Sequence, residues 1–333
     1  MEFKFDAVYY EPKIFEYELG KKLKEKYSNL SWFEIENHNN IPEFHSASNK
    51  EFVKLKRHLI IGTRKTHKYT ENHKSSDYLV PYTSSGCFAM CLYCYLVCNY
   101  NKCAYLRLFV NREEMLERLI KRSLKEESKT FEIGSNSDLV LENTITDNLT
   151  WTIESFVKTG KGKITFPTKF HMIEPLLSLN HQGKVVFRMS VNPQEIINKI
   201  ELGTSKLEER IKAVNMMYEA GYLIGILIAP IILIDNWEKI YSELIDELSE
   251  KLHPGIRKTG FIEIILMTYS YVQNAINTEA FSNALNLYDK DLMTGRGMGK
   301  YSYRPQVRSK AEDFLKKKIS QSGLKNMKIL YIS

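Results

Sequence analysis

The pattern of apolar and polar positions changes near residue 78 of this chain. Before that point, the periodicity predicts a helix over residues 14–27 and a short apolar strand over 58–61, with the polar stretch HNNIPEFHSASNK between them. After it, short apolar runs alternate with stretches of helical periodicity. Such alternation is typical of βα units that build a parallel sheet, so the chain is predicted to be an α/β protein.

Six βα units are predicted in the regular part of the chain. The predicted strands cover residues 78–82, 130–133, 163–167, 184–190, 222–229 and 260–266. The predicted helices cover 112–125, 146–158, 172–179, 206–220 and 237–252. Six units are too few for a closed eight-stranded barrel.

Groups that can bind ligands follow the carboxyl ends of these strands. They are Cys87, Ser137 with Asp138, Lys169, Ser190 with Asn192, and Ala229 with Pro230. In a parallel barrel this rim holds the active site. We therefore predict a partial (β/α)6 barrel with its site at the top. A doubly wound sheet is the alternative, because it also gathers such residues at one edge.

The predicted domain organisation has three parts. Residues 1–77 form an N-terminal mixed α/β segment, 78–290 the partial barrel, and 291–333 a C-terminal hairpin followed by a basic helix. No apolar run approaches the length of about 20 residues that a membrane-spanning helix needs. The start, MEFKFDAVYYEPK, has the features of neither a signal peptide nor a transit peptide. We expect a cytoplasmic protein with no membrane partner.

The formal net charge is +7, and positive residues accumulate toward the C-terminus. These residues are Arg304, Arg308, Lys310, Lys316, Lys317 and Lys318. A basic surface of this kind is typical of proteins with a phosphate-bearing partner such as a nucleic acid. A solvated basic helix face explains the same pattern equally well.

All five cysteines lie between Cys87 and Cys103. Such clustering favours metal binding in a reducing compartment over a disulfide framework. The stretch SSGCFAMCLYCYL places Cys87, Cys91 and Cys94 in a C-x3-C-x2-C spacing. Three thiolates can each hold one iron of a 4Fe–4S cluster, leaving the fourth iron open to a ligand. This spacing, with an aromatic residue before the last cysteine, is the signature of enzymes that bind S-adenosylmethionine (SAM) at that iron and cleave it reductively.

The alternative is a structural zinc site in which Cys98 or Cys103 supplies a fourth thiolate. Zinc sites usually combine two close cysteine pairs that are well separated in sequence, and here there is only one close pair. Cys98 and Cys103 are otherwise expected to be bystanders or partly buried thiols.

The cysteine loop and its flanks, RKTHKYTENHKSSDYLVPYTSSGCFAMCLYCYLVCNY, resemble the spore photoproduct lyase family of radical SAM enzymes. The resemblance continues in FEIGSNSDLV, PTKF, FRMSVNPQEIINKIELGTSKLEERIKAVNMMYEAGY, IAPII and GRGMGKYSY. It implies a radical SAM lyase that acts on a thymine dimer, the spore photoproduct, in damaged DNA. It also implies a reductant such as flavodoxin or ferredoxin. The oligomeric state is not implied.

The resemblance further assigns expected roles to individual residues. Tyr93 lies near the adenine of SAM, Ser137 and Asp138 near its ribose and methionine, and Lys169 with Ser190 at the methionine carboxylate. Asn192 and Ala229 complete the expected cofactor contacts, with Ala229 facing the adenine. Taken singly, Lys169 fits a solvated lysine, and Ser137 with Asp138 fits a turn cap.

Two features depart from the family pattern. Its hydrogen-donor cysteine, in a stretch F-E-x-x-C-x-S-D, is replaced here by Ser135. An alcohol O–H bond is much stronger than a thiol S–H bond, so Ser135 is a poor hydrogen donor. Cys98, Cys103 and Tyr95 are candidate substitutes. Tyr93 and Tyr95 fit a radical relay, and simple packing beside the cluster fits them equally.

The second departure is that a polar Gln-His-Arg run after the glutamate of the sixth strand is replaced by an apolar stretch after Glu263. The hairpin motif that follows, GRGMGKY, has also lost one aromatic residue. Arg296, Lys300, Tyr301 and Tyr303 remain as expected nucleic-acid contacts, whereas a solvent-exposed glycine-rich loop is the alternative.

Together these departures leave alternative functions open. One is a divergent paralogue that binds cluster, SAM and DNA without efficient repair of the spore photoproduct. Another is a related radical SAM enzyme with a different substrate.

Overall fold

The computed structural model describes residues 4–98 and 105–333, with the side chain of Cys98 excepted. The strands within this part are β1 Ala7–Tyr10, β2 Ser31–Glu34, β3 His58–Gly62, β4 Thr70–Glu71, β5 Tyr78–Leu79, β6 Ser84–Ser85, β7 Arg107–Phe109, β8 Thr130–Glu132, β9 Lys163–Thr168, β10 Val185–Val191, β11 Leu223–Ile231, β12 Phe261–Leu266, β13 Thr268–Ser270, β14 Met293–Gly295, β15 Lys300–Tyr303 and β16 Lys328–Ile332.

The α-helices in the same residues are α1 Glu18–Lys26, α2 Pro42–Ser46, α3 Phe52–Leu55, α4 Arg112–Lys125, α5 Leu139–Asn143, α6 Asn148–Thr159, α7 Gln194–Lys199, α8 Leu207–Glu219, α9 Trp237–Lys251, α10 Ile256–Thr259, α11 Tyr271–Ala280 and α12 Pro305–Ser320. Short 3-10 turns cover Pro12–Glu16, Asn49–Glu51, Tyr95–Cys98 and Glu174–Leu176.

The larger sheet has eight strands in the order β16-β12-β11-β10-β9-β8-β5-β4. Six consecutive strands from β5 to β12 are parallel, and α-helices lie in every connection between them except that from β9 to β10. Every residue of β10 is buried, which is typical of a parallel strand covered on both faces. The predicted partial (β/α)6 barrel is confirmed, and the doubly wound alternative is not.

A buried ion network on the inside of this sheet joins three strands. The guanidinium of Arg188 on β10 donates to the carboxylate of Glu132 on β8 at 2.6 Å and to that of Glu263 on β12 at 2.8 Å and 3.1 Å. One side chain thus reaches two strands that each lie two positions away. This is possible because the sheet curls around its inner face.

The C-terminal strand β16 adds a seventh parallel strand beside β12, which the sequence analysis did not anticipate. On the opposite edge of the sheet, the loop between β4 and β5 carries Lys74. The Nζ atom of Lys74 lies 5.1 Å from the ring centre of Tyr331 on β16. The first and last strands of the curled sheet therefore approach each other.

A second sheet, in the order β2-β1-β3-β7-β6, builds the N-terminal part of the protein. Its first four strands are parallel, and β6 pairs with β7 in the antiparallel direction. β13, β14 and β15 form a third, antiparallel sheet. The three-part division remains a prediction. Strand pairing crosses both of its limits, through β6 and β7 at one and through β16 at the other.

Several helix predictions need correction. The helix expected at 172–179 is only a 3-10 turn, Glu174–Leu176, because Pro175 lacks the N–H that a continuing helix needs. The helix expected at 14–27 is split into the turn Pro12–Glu16 and α1. By contrast, the helix predicted at 112–125 has the bounds of α4.

In the residues that the structure describes, no helix has both the length and the apolar character required to cross a membrane.

Candidate active site

The cysteine loop begins directly after β6, which belongs to the N-terminal sheet and was not predicted as a separate strand. At the turn, Gly86 has a φ of 77°, a left-handed conformation that glycine adopts without strain. Its N–H donates to the carbonyl oxygen of Asn136 at 2.8 Å. Gly86 also forms an isolated parallel bridge with Ser137. The loop is therefore fixed against the turn that follows β8.

Backbone hydrogen bonds hold the rest of the loop over the chain segment that follows α7. Met90 N–H donates to Leu202 O at 2.8 Å, and Leu92 N–H donates to Ile200 O at 2.9 Å. The Nδ2 of Asn277 on α11 donates to Leu92 O at 2.7 Å. Three separate elements thus fix the backbone that carries the cysteines, and none of these bonds uses a thiol.

The three thiols of Cys87, Cys91 and Cys94 are free and partly exposed. Burial raises the pKa of the Cys87 thiol to about 12, and burial followed by the charge of Glu201 raises the pKa of Cys91 further. Without metal these two thiols are therefore protonated, and iron binding would release their protons. The donor set, three free thiols on one loop whose backbone is fixed by hydrogen bonds, fits a cluster held by three thiolates.

The zinc alternative required Cys98 or Cys103, but the side chain of Cys98 and the whole of Cys103 lie outside the described residues. Among residues 4–98 and 105–333, no three His, Cys, Asp or Glu side chains lie close enough together to coordinate a single metal ion.

The backbone carbonyl of Cys87 accepts a hydrogen bond from the ammonium of Lys56. Lys56 is only 1% exposed and comes from the N-terminal segment. A buried cation beside the loop favours the negative charge that thiolates would bring to it. Lys56 was not among the residues predicted from the sequence, since no motif distinguishes it from other lysines.

A buried carboxylate, Glu201, connects the cysteine loop to the predicted SAM contacts. Its Oε1 accepts from the Tyr93 hydroxyl and, at 3.0 Å, from Asn192 Nδ2. Its Oε2 pairs with Arg210 Nη2 at 2.7 Å, and Lys169 Nζ lies 4.0 Å from Oε1. Burial by itself would raise the pKa of Glu201, but Arg210 and Lys169 together lower it. Glu201 is thus an ionised hub, which sequence reasoning did not identify.

Lys169 follows β9 and, like Tyr93, is partly exposed, whereas Glu201, Arg210 and Asn192 are buried. Its ammonium lies 5.7 Å from the ring centre of Tyr93, and its side chain is 23% exposed. Since 4.0 Å is a loose contact for an ion pair, the ammonium retains donors for an incoming carboxylate. This placement agrees with a carboxylate-binding lysine rather than with a fully solvated one.

Asp138 caps α5 rather than facing open space. Its carboxylate accepts from Val140 N–H, Leu141 N–H, the Thr168 hydroxyl and Lys169 N–H at 2.8–3.2 Å. Burial raises its pKa. These contacts favour the turn-cap interpretation of Asp138. Its capping bonds also fix the backbone at Lys169.

Ser137 is partly exposed and shares a hydrogen bond of 2.7 Å with the hydroxyl of Ser84. It lies beside Gly86 and thus beside the first cysteine. A ribose contact from this position remains a prediction.

Three further predicted cofactor contacts lie together at the ends of β10 and β11, but all are buried. The Ser190 hydroxyl donates to Ala229 O at 2.8 Å. Asn192 Oδ1 accepts from the Tyr241 hydroxyl at 3.2 Å, while its amide donates to Glu201. The structure therefore brings these residues to one rim, where Ser190 bonds to Ala229 and Asn192 bonds to Glu201 and Tyr241.

Tyr95 and Ser135 meet beside the cysteine loop. The Tyr95 hydroxyl donates to the carbonyl oxygen of Ser135 at 2.7 Å, and the Tyr95 side chain is 56% exposed. The phenol therefore lies beside the backbone of Ser135, the residue that occupies the family's donor-cysteine position. Sequence distance conceals this relationship, since 40 residues separate the pair.

The β14–β15 hairpin presents an exposed tip. Gly297 and Gly299 have positive φ angles, and Met298 between them is 97% exposed. Arg296 and Lys300 are exposed at the base of the tip. Tyr301 is partly exposed and packs on Tyr288, with the ring centres 4.6 Å apart.

Tyr303 corrects one predicted nucleic-acid contact. It is 6% exposed, and its hydroxyl accepts from Leu233 N–H at 2.9 Å. The side chain therefore belongs to the core, although Tyr301, two residues earlier on the same face of β15, is partly exposed. Arg296, Lys300 and Tyr301 keep their exposed or partly exposed positions.

The basic helix α12 is partly neutralised by acidic neighbours. Lys310 pairs with Glu238 and Lys318 with Asp246, both at 2.7 Å, and Lys316 lies 3.7 Å from Glu312. These contacts favour the interpretation of this helix as a solvated charged face.

The comparisons with known proteins agree with this architecture. A family model described as spore photoproduct lyase matches residues 3–333. The spore photoproduct lyase of Bacillus subtilis (strain 168) is 33% identical over 306 residues, covering 89% of each chain. That of Geobacillus sp. (strain Y412MC61) is 30% identical over 330 residues, covering 94% of each chain.

Solved structures give the same result. A spore photoproduct lyase complexed with dinucleoside spore photoproduct matches with a TM-score of 0.91 and 28% identity, over 100% of both chains. A variant with bound AdoMet and dinucleoside spore photoproduct matches with the same values.

Proposed function

Because the chain belongs to the spore photoproduct lyase family, we propose that it is a radical SAM lyase that reverses the thymine dimer known as spore photoproduct in DNA. The observation that carries this proposal is the loop with three free cysteines, fixed by backbone hydrogen bonds beside the Lys169 and Glu201 network. Relatives solved with AdoMet and with the dinucleoside lesion support the same substrate class.

Cys87, Cys91 and Cys94 would hold the 4Fe–4S cluster, and Lys169 would meet the carboxylate of SAM. When bound, the cluster and SAM supply a 5′-deoxyadenosyl radical that takes a hydrogen atom from the lesion. Glu201 positions Lys169 and Tyr93 through its buried contacts. Because Glu201 is already paired with Arg210, Lys169 is left to bind a second carboxylate.

Tyr95 is proposed to return the hydrogen atom that Ser135 cannot supply. A phenol O–H bond is far weaker than an alcohol O–H bond, and the Tyr95 hydroxyl is hydrogen-bonded at the Ser135 backbone. Its O–H bond breaks as a C–H bond forms on the released thymine, leaving a phenoxyl radical on Tyr95. One electron and one proton then restore the phenol, with the electron from a flavodoxin- or ferredoxin-type donor.

The remaining parts of the proposal concern partners and location. Arg296, Lys300 and Tyr301 would contact the DNA strand around the lesion, since two exposed cations and a partly exposed ring suit phosphates and bases. Ser137, Ser190, Asn192 and Ala229 would line the SAM site. The cytoplasm is the proposed location, where a reduced cluster and a protein reductant coexist.

The test is product analysis with anaerobically reconstituted protein, dithionite, SAM and the dinucleoside lesion. We expect both 5′-deoxyadenosine and the repaired thymine dinucleoside, whereas a Cys91→Ala variant yields neither. Native protein that contains stoichiometric zinc without iron, or that forms no 5′-deoxyadenosine, would contradict the proposal.

A second candidate function is reductive SAM cleavage without efficient repair, or with a different substrate. Two observations favour it: Ser135 in the donor position and the apolar stretch after Glu263. Formation of 5′-deoxyadenosine with no repaired dinucleoside over many turnovers would support this candidate. Sustained repair would exclude it.

A further inference from the structure

The apolar stretch after Glu263 lines a cavity of about 500 Å³ at the carboxyl end of β12 and β16. Ile265, Met267 and Ile332 form its apolar side, and Lys74, Arg296 and Arg308 line it with positive charge. A cavity of this size lies within the range of about 300 to 1,000 Å³ typical of small-ligand sites. Neither the cluster loop nor the SAM network contributes to its lining.

The three cations differ in the hydrogen bonds and ion pairs that they already form within the protein. Arg308 donates to Glu312 at 2.6 Å and to Ile332 O at 3.3 Å. Lys74 contacts only the ring face of Tyr331, at 5.1 Å, among the residues that the structure describes. The Arg296 side chain has no ion pair or hydrogen bond within that part of the chain. Lys74 and Arg296 therefore present unpaired charge toward the cavity.

We propose that this cavity is a subsite for a nucleotide that flanks the lesion in the DNA strand. Lys74 and Arg296 bind its phosphates, and its base lies against Ile265 and Ile332, the partly exposed apolar residues of the lining. An apolar wall beside two unpaired cations suits a ligand that is flat and apolar on one side and anionic on the other. The proposal rests on the proposed function and assigns a substrate subsite to it.

The position of the cavity agrees with this assignment. It lies at the carboxyl-terminal edge of the parallel sheet, the same rim that carries Lys169 and Asn192. Arg296 and Ser302 place the base of the hairpin on its wall. A strand that contacts the hairpin therefore passes this cavity.

The experiment compares two ligands by fluorescence anisotropy competition. One is an oligonucleotide that carries a single spore photoproduct, and the other is the dinucleoside lesion, which has no flanking nucleotide. The test variants are Lys74→Ala and Thr268→Glu. Thr268 is exposed and lines the cavity, so a glutamate there repels phosphate without disturbing the core. The matched controls are Lys325→Ala and Thr259→Glu, whose exposed side chains lie before β16 and β12 at the opposite end of those strands.

We expect Lys74→Ala to weaken oligonucleotide binding about fivefold and to reduce the salt slope of log K by about 0.7, the contribution of one single-strand phosphate. Thr268→Glu weakens binding to a similar or greater extent. Dinucleoside binding stays unchanged in both variants, as does oligonucleotide binding in both controls.

The experiment distinguishes a failure of the subsite proposal from a failure of the proposed function. If native protein binds the oligonucleotide and the test variants behave like the controls, or lose dinucleoside binding equally, the subsite is overturned while the proposed function stands. If native protein binds neither ligand, the proposed function fails and the subsite fails with it.

Discussion

The Tyr95 hydroxyl donates a 2.7 Å hydrogen bond to the backbone carbonyl oxygen of Ser135. A phenol is thus held beside the residue that occupies the family's donor-cysteine position. The bond holds the Tyr95 O–H beside the turn after β8 while leaving much of the ring accessible.

If Tyr95 donates the final hydrogen atom, Tyr95→Phe removes the donor without changing the shape of the ring. We expect repaired dinucleoside to fall at least about tenfold, equivalent to about 1.4 kcal/mol in barrier height, while 5′-deoxyadenosine formation persists. In D2O, the native product carries one deuterium in the thymine methyl group, because the phenol proton exchanges with solvent. Tyr271→Phe, at an exposed tyrosine on α11, is the control. Equal repair by Tyr95→Phe and the control would remove Tyr95 from the mechanism.

Ser135→Cys tests hydrogen return by adding a thiol donor, whereas Tyr95→Phe removes the phenol donor. A thiol has a much weaker bond to hydrogen than an alcohol, so we expect the ratio of repaired dinucleoside to 5′-deoxyadenosine to rise about tenfold or more. We also expect the double variant Ser135→Cys with Tyr95→Phe to retain much of this gain. An unchanged ratio in Ser135→Cys would indicate that hydrogen return does not limit repair.

Glu201→Gln removes the charge at the centre of the site network. The guanidinium of Arg210 is then left buried without its carboxylate, and we expect the free energy of unfolding to fall by about 3 kcal/mol. Affinity for SAM should also fall, because Lys169 and Tyr93 lose the negative charge that positions both of them. Denaturant unfolding and SAM equilibrium binding measure the two effects. The control Glu195→Gln breaks only an exposed pair with Lys199, which is worth less than about 0.5 kcal/mol. A loss no larger than that of the control would contradict the role of Glu201 as a hub.

The lowered pKa of Glu11 predicts that the protein loses stability in acid. Burial by itself would raise its pKa, but hydrogen bonds from His38 and Thr63 lower the pKa to about 2 from the ordinary value of 4.5. A carboxyl with a lowered pKa stabilises the fold above its unfolded pKa and loses that contribution as the pH falls through 4.5 toward 2. The contribution is at most about 3 kcal/mol.

We therefore expect the unfolding free energy of native protein to decline between pH 5 and about pH 2 more steeply than that of Glu11→Gln, as followed by urea unfolding. Glu18→Gln is the control, since the Glu18 side chain is 78% exposed and water screens its pair with Lys21. Parallel curves for native protein and Glu11→Gln would show that Glu11 has an ordinary pKa in the fold.

Variants at Tyr303 and Arg296 should have different effects, one on the stability of the fold and the other on DNA binding by the hairpin. Tyr303→Phe leaves the N–H of Leu233 without its acceptor, so we expect a loss of about 1 to 3 kcal/mol in stability with unchanged DNA affinity. Arg296→Ala should have the reverse effect, with unchanged stability and a salt slope reduced by about 0.7. Thermal unfolding and salt-dependent DNA binding distinguish them. Weaker DNA binding by folded Tyr303→Phe would restore the contact predicted from sequence.

The sequence by itself determined the fold class and the way in which the radical is produced. Alternating apolar runs specify a parallel sheet because strand and helix periods differ, and Cys87, Cys91 and Cys94 lie within eight consecutive residues, so local spacing alone marks them. The resemblance of the chain to the spore photoproduct lyase family was confirmed over residues 3–333.

Only the tertiary structure decided which distant side chains share an environment. The Glu201 hub, the Tyr95 contact with Ser135, and the cavity between Lys74 and Met267 join residues far apart along the chain. Tyr303 and Asp138 carry the polar groups expected of ligand contacts. In the fold, however, Tyr303 is buried in the core and Asp138 accepts hydrogen bonds as the cap of α5. The reason is physical: residue type sets what a group can bond, whereas packing decides which partner is within reach.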